Sequence, residues 1–264
     1  MPKNKTEVFT VSGSEMGLSD GEAANSRGRG DKRRIIYEQY VQPCLAEFFG
    51  TTLFIFVGCA CVIGNTGSGA IQPAVAHGLA LAILIMLFGQ ISGGHFNPAV
   101  SLCVYLCGGM SLPLVVPYIL AQMVGGMAGA GLAKAMFPPL EYQSSLGGAF
   151  NPEGFSNDLG KIALAELIMT TFLTTTVVMA AVNSKTSTQL APFCIGLTVT
   201  ANILAGGTLS GACMNPARAF GPAVVANHWG HHWIYWVGPV CGALSTVIYV
   251  RLFFGDRKTR LILK

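Results

Sequence analysis

Four short strings recur along the chain at a nearly fixed interval. Leu45-Ala46-Glu47 returns as Leu164-Ala165-Glu166, Gly78-Leu79 as Gly196-Leu197, Ser92-Gly93 as Ser210-Gly211, and Asn97-Pro98-Ala99 as Asn215-Pro216-Ala217. The offsets are 119, 118, 118 and 118. Spacing held that closely over four landmarks marks two copies of one unit, and a repeat of this kind constrains the fold before any local signal does. We place repeat one at 41–134 and repeat two at 160–254.

The repeats lie in a segment that water cannot solvate. Only 11% of the 264 residues are charged, against about 25% in a soluble domain. Positions 41–250 contain Lys134, Lys161, Lys185 and Arg218 and the acids Glu47, Glu141, Glu153, Asp158 and Glu166, and no other Lys, Arg, Asp or Glu. Apolar stretches of spanning length fall at roughly 41–63, 72–91, 113–134, 161–182, 190–206 and 232–254, each near the ~20 residues that cross a hydrocarbon core. These features exclude a soluble globular domain, a disordered chain and a nucleic-acid partner; the partner is membrane lipid. The net charge of +4 comes from the tails, 1–35 and 256–264, which flank a single membrane domain at 36–255.

Each half has three spans, an odd number, so the two copies enter the membrane in opposite senses. An inverted repeat of this kind places a functional path near the bilayer midplane. Lys32, Arg33 and Arg34 before the first span, Lys185 between the fourth and fifth, and Arg251, Arg257, Lys258 and Arg260 after the sixth put both termini in the cytoplasm by the positive-inside rule. The sequon Asn4-Lys5-Thr6 then faces the cytoplasm and should carry no glycan. The first 35 residues lack the apolar core of a signal peptide, and six acids in the first 40 argue against a transit peptide.

Two runs, one opening at Asn97 and one at Asn215, are apolar but too short to span. Proline suits the first position of a helix and asparagine the N-cap before it. Each Asn-Pro-Ala therefore opens a re-entrant half-helix, and inversion brings the two N-termini together at mid-membrane. Each end carries roughly half a positive charge, so the junction repels cations, and the amides of Asn97 and Asn215 can donate hydrogen bonds into a lumen there. The pairs Gly93-Gly94 and Gly206-Gly207 suit the close approach, and Gly125, Gly126 and Gly129 suit close helix packing. A pore built this way fits a small neutral solute and breaks a proton wire.

The paired Asn-Pro-Ala boxes, Arg218 after the second, the run His232-Trp233-Ile234-Tyr235-Trp236 and the two Ala-Glu pairs resemble the aquaporin (major intrinsic protein) family over about 35–255. Gln42-Pro43-Cys44, His77-Gly78-Leu79-Ala80 and Lys258-Thr259-Arg260-Leu261-Ile262-Leu263-Lys264 resemble its aquaporin-8 branch. The resemblance implies an all-α fold of six transmembrane helices and two re-entrant half-helices, a pore in each protomer and a homotetramer. It also implies which residues line the outer constriction: His77, Ile203, Ala212 and Arg218. Strict water channels resemble one another in an aromatic at the first of these positions and a histidine at the second. Here Ile203 is aliphatic and the histidine stands at position 77, which implies a slightly wider aperture. Relatives with this pattern pass ammonia, hydrogen peroxide and in some cases urea as well as water. Glycerol facilitators carry Asp after the filter arginine; Ala219 stands here.

Glu47 and Glu166 are expected, by the same resemblance, to brace the re-entrant loops. Cys213 lies near the pore in the family pattern and is a candidate reactive thiol, with Cys59 a second. The eight cysteines otherwise read as buried free thiols. His95 is read equally as a lumen residue or a loop-bonding one. His228, His231 and His232 with Trp229 and Trp233 read as an interfacial belt rather than a metal site. No catalytic constellation, metal site or cofactor motif is expected. The expected function is a passive channel for water and small neutral solutes that excludes protons and ions. A secondary transporter with inverted repeats and a junctional relative with little flux are the alternatives. The plasma membrane is the default location, with an intracellular or mitochondrial inner membrane left open.

Overall fold

The computed structural model describes residues 27–256 apart from 66, 68, 156 and 157, together with 260 and 261. The sequon at Asn4 and most of both tails lie outside the described residues. Among those residues the fold is all-helical. Six helices are long and apolar enough to cross a membrane: Lys32–Ile63, Ile71–Ser92, Leu112–Met136, Leu159–Val182, Ala191–Ser210 and Ile234–Phe254. Two shorter helices, Pro98–Leu106 and Pro216–Ala226, follow the second and fifth spans.

Two boundaries differ from those read in the sequence. The helical run containing the first span begins at Arg27, well before residue 41. Charged Lys32, Arg33 and Arg34 lower the hydropathy there without breaking a helix. Pro43 falls inside this run, where it has no N–H to give. The helix accommodates it with one widened turn, Tyr37–Val41, closed by Gln42 N–H donating to Tyr37 O. The fifth span continues to Ser210, so Gly206 and Gly207 sit within a helix, with Gly206 against Met169. The left-handed turn belongs instead to Gly211 (φ 85°), matching Gly93 (φ 88°) in the first repeat.

Packing repeats as the sequence does. The first span lies against the third and the fourth against the sixth, while the second and fifth cross at the seam between halves. At that crossing a Cβ on Gly78 would strike Gly196 O, and one on Gly196 would strike Gly78 O. Side chains on either glycine would hold the halves apart. Gly125 and Gly129 lie likewise against Phe48 O and Thr52 O of the first span, and Gly126 against Ala217 O of the second half-helix. The outer faces are apolar and exposed, with Leu87, Leu120, Ile168 and Ile248 each more than half exposed, as a lipid-facing surface requires.

The pore and its constriction

The loops that turn the chain back on itself adopt one conformation in both halves. After Gly93 come Gly94 (φ 65°) and Phe96 (φ 48°); after Gly211 come Ala212 (φ 51°) and Met214 (φ 56°). Three of these four residues are not glycine, and the left-handed region costs each of them roughly 1–2 kcal/mol. Buried hydrogen bonds hold the strain. Glu47 accepts from Ser92 Oγ (2.7 Å) and His95 N (2.9 Å) with one oxygen, and from Phe96 N (2.7 Å) and Gln122 Nε2 (2.8 Å) with the other. Glu166 accepts from Ser210 Oγ (2.7 Å), Cys213 N (2.8 Å) and Met214 N (2.7 Å). Both carboxylates are fully buried. Tyr118 and Tyr235 add matching bonds from their hydroxyls to Ser92 O and Ser210 O. Among the described residues Gln122 has no equivalent against Glu166.

So braced, each loop delivers an asparagine to a half-helix N-terminus. Asn97 Oδ1 accepts from Ala99 N at 2.9 Å, and Asn215 Oδ1 from Ala217 N at 2.9 Å and Arg218 N at 3.3 Å. The amide groups then cross between halves. Asn97 Nδ2 donates to Met214 O at 2.8 Å and Asn215 Nδ2 to Phe96 O at 2.9 Å. An amide NH2 has two donors, so one proton of each remains for the lumen rather than both. Pro98, Ala99, Pro216 and Ala217 are buried in the first turns of the half-helices.

Both asparagines border a cavity of about 480 Å³ that His77, Ile203, Ala212 and Arg218 also line. His77 Nδ1 stands 2.7 Å from Pro73 O and His77 Nε2 3.3 Å from Arg218 Nε. A carbonyl can only accept and a guanidinium can only donate. The ring that satisfies both is neutral, with its proton on Nδ1. Arg218 is fixed further by Nη1 to Gly148 O (2.8 Å) and Nη2 to Gly58 O (3.5 Å), and its guanidinium carbon lies 4.7 Å from the Phe150 ring centroid. Across the cavity Ile203 and Ala212 offer no side-chain polar atom.

The remaining candidates separate. Cys213 borders the cavity, its thiol donating to Asn215 O at 3.1 Å. Cys59 is fully buried behind Gly148, away from the cavity lining. His95 does both things asked of it: it borders the cavity, and its Nδ1 lies 3.1 Å from Ser101 Oγ. His232 packs among Trp229, Phe220 and Trp236, and His231 Nε2 meets Glu153 at 3.2 Å. Among the described residues no cluster of His, Cys, Asp or Glu could hold a metal ion. Sequence reasoning missed Gly58, where a Cβ would stand 2.7 Å from His77 Nε2 and 3.0 Å from Arg218 Nε. It also missed Phe150 and Gln122, which no local pattern distinguishes.

Comparison with known proteins fixes the family. Residues 35–249 match the family model described as major intrinsic protein. The chain belongs to the aquaporin (major intrinsic protein) family. Within it, the chain is 51% identical to aquaporin-8 of Notomys alexis over 248 residues, 94% of this chain and 95% of that one. It is 53% identical to aquaporin-8 of Rattus norvegicus over 229 residues, covering 86% and 87% of the two chains. The fold is similar to the X-ray structure of the aquaglyceroporin from Plasmodium falciparum, with a TM-score of 0.69 at 21% identity over 80% of this chain and 95% of that one. This aquaporin is therefore a multi-pass membrane channel for water and small solutes, close to aquaporin-8, and not an enzyme.

Proposed function

We propose that this aquaporin conducts water together with small neutral solutes, ammonia and hydrogen peroxide first and urea as a further candidate, and excludes protons and ions. His77, Ile203, Ala212 and Arg218 act as its selectivity filter and the two Asn-Pro-Ala boxes as its midpoint barrier. The observation that carries this reading is the division of the constriction into two sides. Arg218 and neutral His77 form a polar wall, and Ile203 with Ala212 form an apolar one. A solute that accepts hydrogen bonds from Arg218 on one side and needs none on the other can pass. Ammonia and hydrogen peroxide satisfy that, and an aliphatic wall imposes no second donor that water alone would satisfy. A guanidinium here, and the positive ends of two half-helices beyond it, oppose any cation.

We place both termini in the cytoplasm and the channel in the plasma membrane as a homotetramer, with membrane lipid around it. The loop charges and the family resemblance support that arrangement. The deciding experiment is stopped-flow osmotic shrinkage of proteoliposomes with a solute panel, for the native protein and Ile203→His. The expected result is native flux of water and ammonia, with the ammonia-to-water ratio falling about tenfold in the variant, since one well-placed polar contact is worth about 1.4 kcal/mol in discrimination. An unchanged ratio refutes the filter assignment, and saturable ion-coupled flux refutes a passive channel.

A further inference from the structure

The outer end of each half-helix meets a cation. Lys134 Nζ, at the end of the third span, lies 3.3 Å from Val225 O in the last turn of the second half-helix. It also lies 5.6 Å from the Tyr142 ring centroid. Arg251 Nη1, at the end of the sixth span, donates to Leu106 O, the last residue of the first half-helix, at 3.0 Å. The two cations are 117 positions apart and occupy equivalent places in the two repeats. Each therefore reaches the half-helix of the opposite repeat. Lys134 is one of only four basic residues between 41 and 250, so its recurrence at the matching place in the second half as Arg251 is a pattern and not background.

We propose that Lys134 and Arg251 are positioning residues for ion exclusion. They cancel the negative poles of the two half-helices and so leave the positive poles at Asn97 and Asn215 uncompensated. The inference rests on the reading of the midpoint as a cation barrier. A half-helix is a dipole, and the potential at its inner end is reduced by the opposite half-charge at its outer end. The distances are short, about 13 Å for the nine residues from Pro98 and about 16 Å for the eleven from Pro216 at 1.5 Å per residue. A unit cation on each outer carbonyl reverses the sign of that end. By Coulomb's law at about 15 Å and an effective dielectric near 20, each cation changes the occupancy of the midpoint by a monovalent ion about fivefold. Water carries no net charge and is indifferent to this potential, so the effect falls on selectivity and not on water flux. A cap that served only helix stability would move both together.

The test is reconstitution of the full chain in liposomes, with osmotic water permeability read by light scattering and proton leak read by an entrapped pH dye under a potassium–valinomycin potential. Lys134→Met and Arg251→Met should each raise the ratio of proton leak to water permeability about fivefold. The double variant should multiply the two effects, because the sites are well apart. Lys134→Arg and Arg251→Lys should keep the native ratio. A native ratio in both methionine variants overturns the proposal, as does an equal rise in the charge-conserving pair. If the double variant fails to insert, the single variants decide. Native vesicles that shrink no faster than empty ones would instead refute the channel reading on which the proposal stands.

Discussion

Arg218 and His77 share one hydrogen bond across 141 residues of sequence, with the guanidinium Nε as donor and the imidazole Nε2 as acceptor, 3.3 Å apart. The bond exists because Pro73 O holds the imidazole proton on the far nitrogen, at 2.7 Å. Space for the pair comes from Gly58, which lies against both groups.

Gly58→Ala should therefore narrow the constriction without touching either partner chemically. The new methyl would stand 2.7 Å from His77 Nε2 and 3.0 Å from Arg218 Nε, so one of them must move into the lumen. Overpacking of this size costs roughly 1–3 kcal/mol of stability, and the displaced side chain takes up lumen space, so water flux should fall severalfold. Stopped-flow water permeability of the variant checks this, and permeability equal to the native value would show that the pair has room to yield.

Loss of either loop brace should cost stability as well as flux. Glu166→Ala leaves Cys213 N, Met214 N and Ser210 Oγ without their acceptor. Buried donors left unpaired cost about 1–3 kcal/mol each, so a loss on the order of 3–5 kcal/mol is expected, read as a lower melting temperature in detergent. Gln122→Leu removes one of the four donors on Glu47 and should cost about 1 kcal/mol. A Glu166→Ala protein that melts with the native one would remove the bracing role.

Acid should weaken the aromatic belt. Burial among Trp229, Phe220 and Trp236 pushes the His232 pKa below its ordinary 6.5. The unfolded chain then binds the proton more readily than the folded one, so the neutral ring's contribution is complete above about pH 6.5 and fades as the pH falls toward the depressed value. His232→Phe should therefore flatten the decline in melting temperature between pH 7 and 5 relative to the native protein. Parallel native and variant profiles would contradict it.

The two cysteine candidates make opposite predictions. A mercurial entering the pore should reach Cys213, which borders the cavity, and should miss Cys59, which is fully buried away from it. Inhibition of water flux should vanish in Cys213→Ser and persist in Cys59→Ser. The reverse pattern would show that the loop carrying Gly148 opens to admit the reagent.

The repeat carried much of this fold into plain view. Matched strings at Glu47 and Glu166 and at Asn97 and Asn215 placed the spans and both half-helices, because proline after a capping asparagine leaves the backbone little choice. The first helix was read too short because Lys32–Arg34, Glu38 and Gln39 lower the hydropathy ahead of residue 41, although nothing there stops a helix. The fifth span was read as ending at Gly206 because two adjacent glycines lower the hydropathy there, yet the helix runs on to Ser210 and the positive φ falls at Gly211. Gly58 was invisible because its role depends on what lies opposite it in space. Lys134 and Arg251 looked like span-end charges because which carbonyl a cation reaches is decided by the partner repeat.

The crossed amides of the two asparagines have a consequence for how the chain is made. Asn97 is completed by Met214 and Asn215 by Phe96, partners 117 and 119 residues away. Half a chain in the membrane has neither. Its re-entrant loop would hold a strained backbone and an unsatisfied carbonyl at mid-membrane, where no water replaces the missing donor. During synthesis the first half-helix can insert early, but its asparagine has no counterpart until the fifth span and the second loop have followed. The conduit is complete only when both halves are in the membrane.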